Sequence, residues 1–178
     1  MNPLAEISRR LDSLLLPGVI AAVDHAAARC RVRSGELLSA WLPWFSNRAG
    51  ELREWSPPTI GEQCLVLSPG GDPACGFVLL GLFSQANPAP ASAPALYLQT
   101  FADGASLSYD HEQHHFVCEL PAGATVQLTA PGGVTIVGDI TITGTVTVSD
   151  DVIAAGVSLV EHRHGGVQGG SSTTGVPQ

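Results

Sequence analysis

The segment 134–159 constrains the fold of this chain more than any other feature of its sequence. Its residues 134–157 read as four consecutive hexads, VTIVGD, ITITGT, VTVSDD and VIAAGV. Over residues 134–148 every second residue is Val, Ile or Gly, and most residues between them are Thr, Asp or Ser. Because successive side chains of a strand point to opposite faces, this alternation predicts extended structure with one apolar and one polar face.

A single chain offers no evident way to bury that apolar face. No amphipathic helix pattern follows residue 85. A monomeric hexapeptide β-helix uses about three hexads per coil, and repeat folds need at least about three stacked repeats. A long exposed apolar strand is also an aggregation hazard. The pattern therefore predicts an obligate oligomer, in which identical chains turn their apolar faces to a common axis and intertwine as a β-prism.

The residues before the hexads predict a helix and a small barrel. Asn2-Pro3 is a typical helix start, and apolar residues follow at helical spacing until Pro17-Gly18. This helix either packs on its own domain or docks a partner. Residues 18–84 carry signals for about five strands, with a turn at Asp24-His25 between the first two, and for one long crossing loop, which is typical of an OB-like barrel. Further turns are predicted at 101–104 and 110–113.

The predicted fold class is all-β, with an N-terminal OB-fold barrel followed by the intertwined β-prism. A stretch rich in Pro and Ala, QANPAPASAPAL, indicates a linker between the two parts. The predicted divisions are an N-terminal helix at 1–17, the OB-fold domain at 18–84, the linker at 85–96, the β-helix at 97–160 and the metal-binding apex at 161–178.

Two histidines follow the apolar ribbon, the name used here for the hexads at 134–157. His162 and His164 are two residues apart, so on an extended chain both imidazoles point to one face and Arg163 to the other. Two histidines are too few for a metal site in one chain, but three chains around an axis supply six nitrogens. An octahedral imidazole set suits Fe(II), Co(II) or Ni(II) better than zinc, which prefers four ligands. A lone HxH in a Gly-rich tail is usually accidental, but at the end of a three-chain prism it predicts a structural metal site.

Other His and Trp clusters are weaker candidates. The segment DHEQHH, with His111, His114 and His115, fits no metal template and is interpreted as a solvated turn followed by a strand. Three tryptophans near a row of arginines resemble a stacking platform for single-stranded nucleic acid. The absence of Lys and the net charge of −8 favour packing or a protein contact instead. These residues are Trp41, Trp44, Trp55, Arg29, Arg31 and Arg33.

Charge and cysteine content exclude further classes. Residues 1–53 hold seven Arg against five acids, whereas residues 54–178 hold one Arg against eleven acids. The acidic part disfavours nucleic acid or anionic lipid as a partner. Four cysteines without a CxxC motif predict reduced, buried thiols. No signal peptide or membrane span is expected, so the protein is predicted to be made in the cytosol and to leave it by lysis or through a machine.

The sequence gives little support for catalysis. It contains no GxSxG, P-loop, GxGxxG or HExxH motif, and Asp150, Asp151 and Glu161 have no visible partner. We therefore predict no catalytic residue, no small-molecule substrate and no enzyme activity. Two alternatives stay open. One is a hexapeptide-repeat acyltransferase, which needs far more than four hexads; the other is an OB-fold nucleic-acid-binding protein.

Taken in order, these parts resemble the central spike of contractile injection machines. The resemblance rests on GVIAAVD at 18–24, the barrel segment SAWLPWFSNRAGELREWSPPTIGEQCLVLSPGGD at 39–72, GLF at 81–83 and EHRHGGVQGGSSTTG at the end. A DG…YD…H pattern at 103–115 adds to it. The family is that of baseplate assembly protein V of contractile-tailed phages and of R-type pyocin spikes, and type VI secretion spikes share its architecture.

The resemblance implies that the OB-fold barrel is followed by an intertwined trimeric triple-stranded β-helix with a metal-bound apex. It implies a homotrimer under the baseplate of a phage tail or pyocin, in contact with hub and tail tube proteins. It implies one Fe2+ per trimer, held at the apex by His162 and His164 of three chains. It also implies a needle that pierces the target bacterial outer membrane when the sheath contracts. Some larger members carry a lysozyme domain where this chain has only the linker, so cell-wall hydrolysis is not expected.

Overall fold

The computed structural model describes residues 3–166 and residue 170, and it divides into two compact units, Met1–Val126 and Gln127–Gln178. Two 3-10 turns lie at Pro69–Gly71 and Pro73–Cys75. The regular elements are α1 Pro3–Asp12, β1 Leu15–Asp24, β2 Arg29–Ser34, β3 Leu37–Leu38, β4 Gln63–Leu67, β5 Phe77–Leu82, β6 Leu96–Thr100, β7 Ser106–Asp110, β8 His115–Glu119, β9 Ile153–Ala154 and β10 Val157–Ser158.

The N-terminal helix is shorter than the apolar spacing predicts. It begins at Pro3, as expected, but ends at Asp12, and Leu15 already belongs to strand β1. The Asn2 cap lies outside the described residues. Only the C-terminal end of the helix lies close to its own domain, because a Cβ at Gly71 would collide with the backbone of Arg10, whereas no residue of the helix is buried.

Strand β1 runs through Pro17-Gly18, which the sequence marked as a stop. The Pro17 carbonyl accepts a hydrogen bond from the Ser34 hydroxyl at 2.7 Å, so this side of Pro17 faces the end of β2. In a strand the N and C=O of one residue point to the same side. The missing N–H of Pro17 therefore costs no ladder bond. A Cβ at Gly18 would collide with Val32, so only glycine allows this close approach.

The five strands β1–β5 form one antiparallel sheet in the order β3-β2-β1-β4-β5. The segment 42–45 closes this sheet into a barrel. Leu42 bridges Cys30 of β2, and Trp44 forms a parallel bridge with Val78 of β5. The strands and the hairpin at 24–29 follow the sequence prediction, and the closure gives the barrel that the strand count indicated.

The barrel core is small and includes two cysteines. Cys30 and Cys64 are completely buried, but Cys75 and Cys118 are exposed, so the prediction of buried thiols was wrong for the second pair. All four thiols are free. The core residues, apart from partly buried neighbours, are Ile20, Cys30, Val32, Leu42, Cys64, Val66 and Val78.

We expect the barrel to lose stability as the pH rises above 9. Burial raises the pKa of Cys30 to about 11 and that of Cys64 to about 12, from 9.0. The folded barrel keeps both thiols protonated where the unfolded chain ionises them. The stabilisation is therefore fully present below pH 9 and is lost as the pH rises toward 11 and 12. Urea titrations of the full chain at several pH values across this window measure how steeply the free energy of unfolding falls with pH. A Cys64→Ala variant should show a shallower slope, and an equal slope would contradict this account.

The residues after the barrel form a second sheet in the same unit. The start of the linker is held by a hydrogen bond, in which the Asn87 backbone N–H donates to the Ser84 hydroxyl at 3.1 Å. Strands β6, β7 and β8 form an antiparallel meander in that order. Its turns lie at the predicted positions, where Asp103 and Asp110 side chains accept backbone N–H groups at 2.9 to 3.0 Å.

The hexads form no strand between β8 and β9, a stretch in which every residue is described. Their apolar side chains are exposed, including Ile140 at 60% and Ile142 at 61%. Gly138 and Gly144 adopt φ values of 135° and 129°, which only glycine reaches readily. The same backbone turn thus recurs six residues apart, but the strand prediction is not met within one chain. No described helix has the length and apolar character of a membrane span.

Candidate metal centre

A short hairpin builds the end of the second unit. Strands β9 and β10 pair through Val157 with Ala154 and Ser158 with Ile153. Ala155 and Gly156 connect them with φ values of 49° and 83°. Two consecutive positive φ angles are those of a two-residue type I′ turn, the tight connection that suits the twist of paired strands. The hairpin thereby sets the position of the chain that leaves Ser158 toward the histidines.

Asp151 ties that chain to the start of the hairpin. Its Oδ1 accepts the Val152 N–H at 2.8 Å and the Val160 N–H at 3.1 Å. The Ser158 hydroxyl, with the N–H groups of Val160, Val152 and Leu159, holds the pKa of the Asp151 carboxyl below its usual range. Asp151 therefore has partners, and the interpretation that it has none was wrong.

Asp151→Ala is expected to loosen the segment that carries His162. The variant removes the acceptor for the Val160 N–H, nine residues away, so the amides of Val152 and Val160 should exchange with solvent faster. Hydrogen exchange measured by mass spectrometry gives the rates. Asp150→Ala is the matched control, because it removes the same charge one residue earlier. Equal rates in the two variants would show that Asp151 does not hold this segment.

The hydrogen bonds of His162 determine which ring nitrogen is free. Its Nδ1 lies 3.0 Å from the Ser158 carbonyl oxygen and 3.1 Å from the Leu159 carbonyl oxygen. A carbonyl only accepts, so Nδ1 must donate, and the neutral ring then carries its lone pair on Nε2. A backbone carbonyl that holds one ring N–H is a common arrangement at histidines that bind metal through the other nitrogen. The donor chemistry of His162 therefore fits a metal ligand.

The second histidine lies beside the first. The ring centroids of His162 and His164 are 5.1 Å apart, with the ring planes at 83°. Both residues are exposed. Within the described residues, no three His, Cys, Asp or Glu side chains come together as a metal-binding group. One chain thus brings together two imidazoles, and a complete ligand set would need residues of other copies. Most of the tail after Gly166 lies outside the described residues.

The other histidine cluster belongs to a turn. His111 and His114 lie between β7 and β8, and His115 begins β8, all three exposed. His114 has a φ of 54°, as a tight turn requires. These positions agree with the interpretation as solvated turn and strand residues.

The tryptophans pack with their own domain. Arg31 lies 5.9 Å from the Trp41 ring centroid and donates its Nε–H to the Ser39 carbonyl at 2.8 Å. Trp44 and Trp55 are 5.8 Å apart and tilted by 55°. Both contacts lie within the barrel unit, while Trp41 and Trp55 are 48% and 60% exposed.

Comparison with known proteins finds similarity at both ends of the chain. Residues 16–83 match the model of the Type VI secretion system/phage-baseplate injector OB domain, and residues 156–178 match the GpV apex motif. The chain is also 40% identical over 139 residues to the spike protein of Escherichia phage P2. That alignment covers 76% of this chain but 64% of the phage protein. The OB domain predicted from the strand pattern is confirmed, and His162 and His164 lie within the apex motif.

Proposed function

The chain belongs to the family of phage-baseplate spike proteins, and on that premise we propose that three copies form a needle that punctures the outer membrane of a target bacterium. The needle would act at the baseplate of a contractile tail-like particle when its sheath contracts. The role is mechanical, and no catalytic residue or small-molecule substrate is part of it.

The observation that carries this proposal is the uncovered apolar ribbon. Ile136, Ile140, Ile142 and Val146 are each at least 60% exposed in the single chain. Monomeric proteins rarely leave such a contiguous apolar patch in water. Three copies that face a common axis bury these side chains, and each Å² of apolar surface removed from water contributes about 25 cal/mol.

The glycine turns support a wrapped arrangement of the ribbon. Gly138 and Gly144 place one bend in each of the first two hexads, six residues apart. Three such ribbons, wound together, pair their backbone groups with neighbouring chains and leave no open strand edge. A closed, edge-free prism with a continuous apolar axis is stiff and narrow, which is what a piercing tool requires.

At the tip, His162 and His164 of the three chains would hold one Fe2+ through six imidazoles. When bound, the ion supplies binding free energy that stabilises the folded tip, where there is almost no apolar core. His162 contributes a ring already oriented by the Ser158 and Leu159 carbonyls. Asp151 holds the Val160 N–H and so steadies the same segment.

The proposed setting follows from the family. The barrel end would contact hub and tail tube proteins, and the needle would meet the target membrane. The particle would assemble in the bacterial cytoplasm and be released by lysis. Both a phage tail and a pyocin are compatible with this role.

Native mass spectrometry of the purified full chain tests the proposal. We expect a trimer mass with one bound iron ion, and elemental analysis should give one iron for every three chains. Sedimentation velocity should show no folded monomer at micromolar concentration. A folded monomer, or a trimer whose apex binds no metal, would contradict the corresponding part of the proposal.

A further inference from the structure

The outward surface of the barrel sheet is apolar, although the inward surface already forms the core. Cross-strand pairing between β1, β4 and β5 aligns its side chains in three rows, which together we call the outer face. Gln63 is its one polar member. The rows are Leu15, Leu67 and Phe77; Pro17, Leu65 and Leu79; and Val19, Gln63 and Leu82.

The outer face is substantially open to solvent in the single chain. Leu15 is 58% exposed, and Val19, Phe77, Leu79 and Leu82 are between 40% and 45% exposed. An antiparallel sheet with one solvated side normally alternates apolar and polar residues. Here both sides are apolar, which is the pattern of a sheet covered on both sides.

Helix α1 extends the same apolar surface. Ile7 and Leu11 are 54% and 61% exposed. Leu11 lines a groove together with Leu15 and Leu67 of the outer face. The helix stripe and the outer face are therefore continuous, and the helix leaves the three rows uncovered.

Charge differs between the two ends of this sheet. Arg29 and Arg33 are exposed on β2, and Arg33 pairs directly with Val19 at the edge of the outer face. On the β5 side, Glu54 of the long loop and Glu62, the residue before β4, line a cleft with Leu79 of β5. Within the described residues, Glu6 with Arg9 and Arg10 forms the only ion pairs, so neither end is neutralised by a salt bridge of its own chain.

We propose that the outer face packs against the barrel domain of a neighbouring copy of this chain. The inference rests on the proposed trimer. A closed threefold ring needs two different, complementary surfaces on every chain, one for each neighbour. The basic β2 end of one copy and the acidic β5 end of the next supply that complementarity, and the apolar rows between them supply the buried area.

Photo-crosslinking of the purified full chain tests this contact. The photoreactive residue p-benzoylphenylalanine replaces Phe77, an aromatic side chain of the outer face, and Leu79 serves as a second site should the first variant fold poorly. The matched control carries the same residue at Glu51, an exposed position of the long loop that takes no part in the strand pairing of the three rows. Mass spectrometry identifies the crosslinked peptides, and sedimentation gives the oligomeric state of each variant.

We expect crosslinks between copies from position 77 or 79, several-fold more abundant than from position 51, with the partner peptide in the barrel or α1. A trimer by sedimentation with no excess over position 51 would overturn the contact and leave the needle intact. Crosslinks that form only to another protein, in assembled particles, would overturn it and assign the outer face to that protein. A folded monomer would overturn both this contact and the proposed needle.

Discussion

Ile142→Asp is expected to abolish the trimer. In the proposed needle the substitution places three carboxylates on the apolar axis, where none has a cationic partner. Burial of an unpaired charge costs several kcal/mol, in addition to the ~2 kcal/mol of apolar burial lost in each chain. The purified variant should sediment as a monomer or aggregate, and any residual trimer should unfold at a much lower temperature than the parent.

Thr143→Asp is the matched control for this experiment. It adds the same charge one residue later, on the polar face of the ribbon, because successive side chains alternate. The control should remain trimeric. Were both variants to remain trimeric with unchanged thermal unfolding, the apolar face could not be the axis of the assembly.

The features of the fold that the sequence predicts are those that depend on residues close together in the chain. The hairpin of β1 and β2 and the turns at Asp103 and Asp110 depend on neighbouring residues, and all were predicted. The extension of β1 through Pro17-Gly18 was not, because it depends on where β2 ends. A proline there is tolerated only because its nitrogen faces no ladder partner, which no local pattern shows.

In the candidate site, too, short-range features were predicted and contacts between more distant residues were not. The spacing of His162 and His164 is local, and it identified the pair. The contact of Asp151 with Val160 spans nine residues and depends on the register of the β9–β10 hairpin. Ser158, which bonds both Asp151 and the Glu161 N–H, was missed for the same reason. The register could not be deduced from two-residue strands, whose residues have little periodicity.

The double variant His162→Ala with His164→Ala is expected to remove the apex metal and to lower or abolish killing by particles that carry it. Structural metal sites contribute on the order of 10 kcal/mol to the folding of small tips, so hydrogen exchange at residues 157–164 should rise sharply. The hexads bury their own apolar face, and the variant should therefore remain a trimer. Elemental analysis, sedimentation and a killing assay measure the three effects separately.

Arg163→Ala is the matched control for the double variant, because it removes the side chain between the two histidines and leaves both imidazoles in place. Metal content and killing should then stay at the parental level. If the double variant lost its metal yet killed as well as the parent, the ion would stabilise the tip without contributing to penetration. If Arg163→Ala lost the metal as completely as the double variant, the two imidazoles alone could not account for binding. Any change in the segment 162–164 would then remove the ion, whether or not it removes a nitrogen ligand.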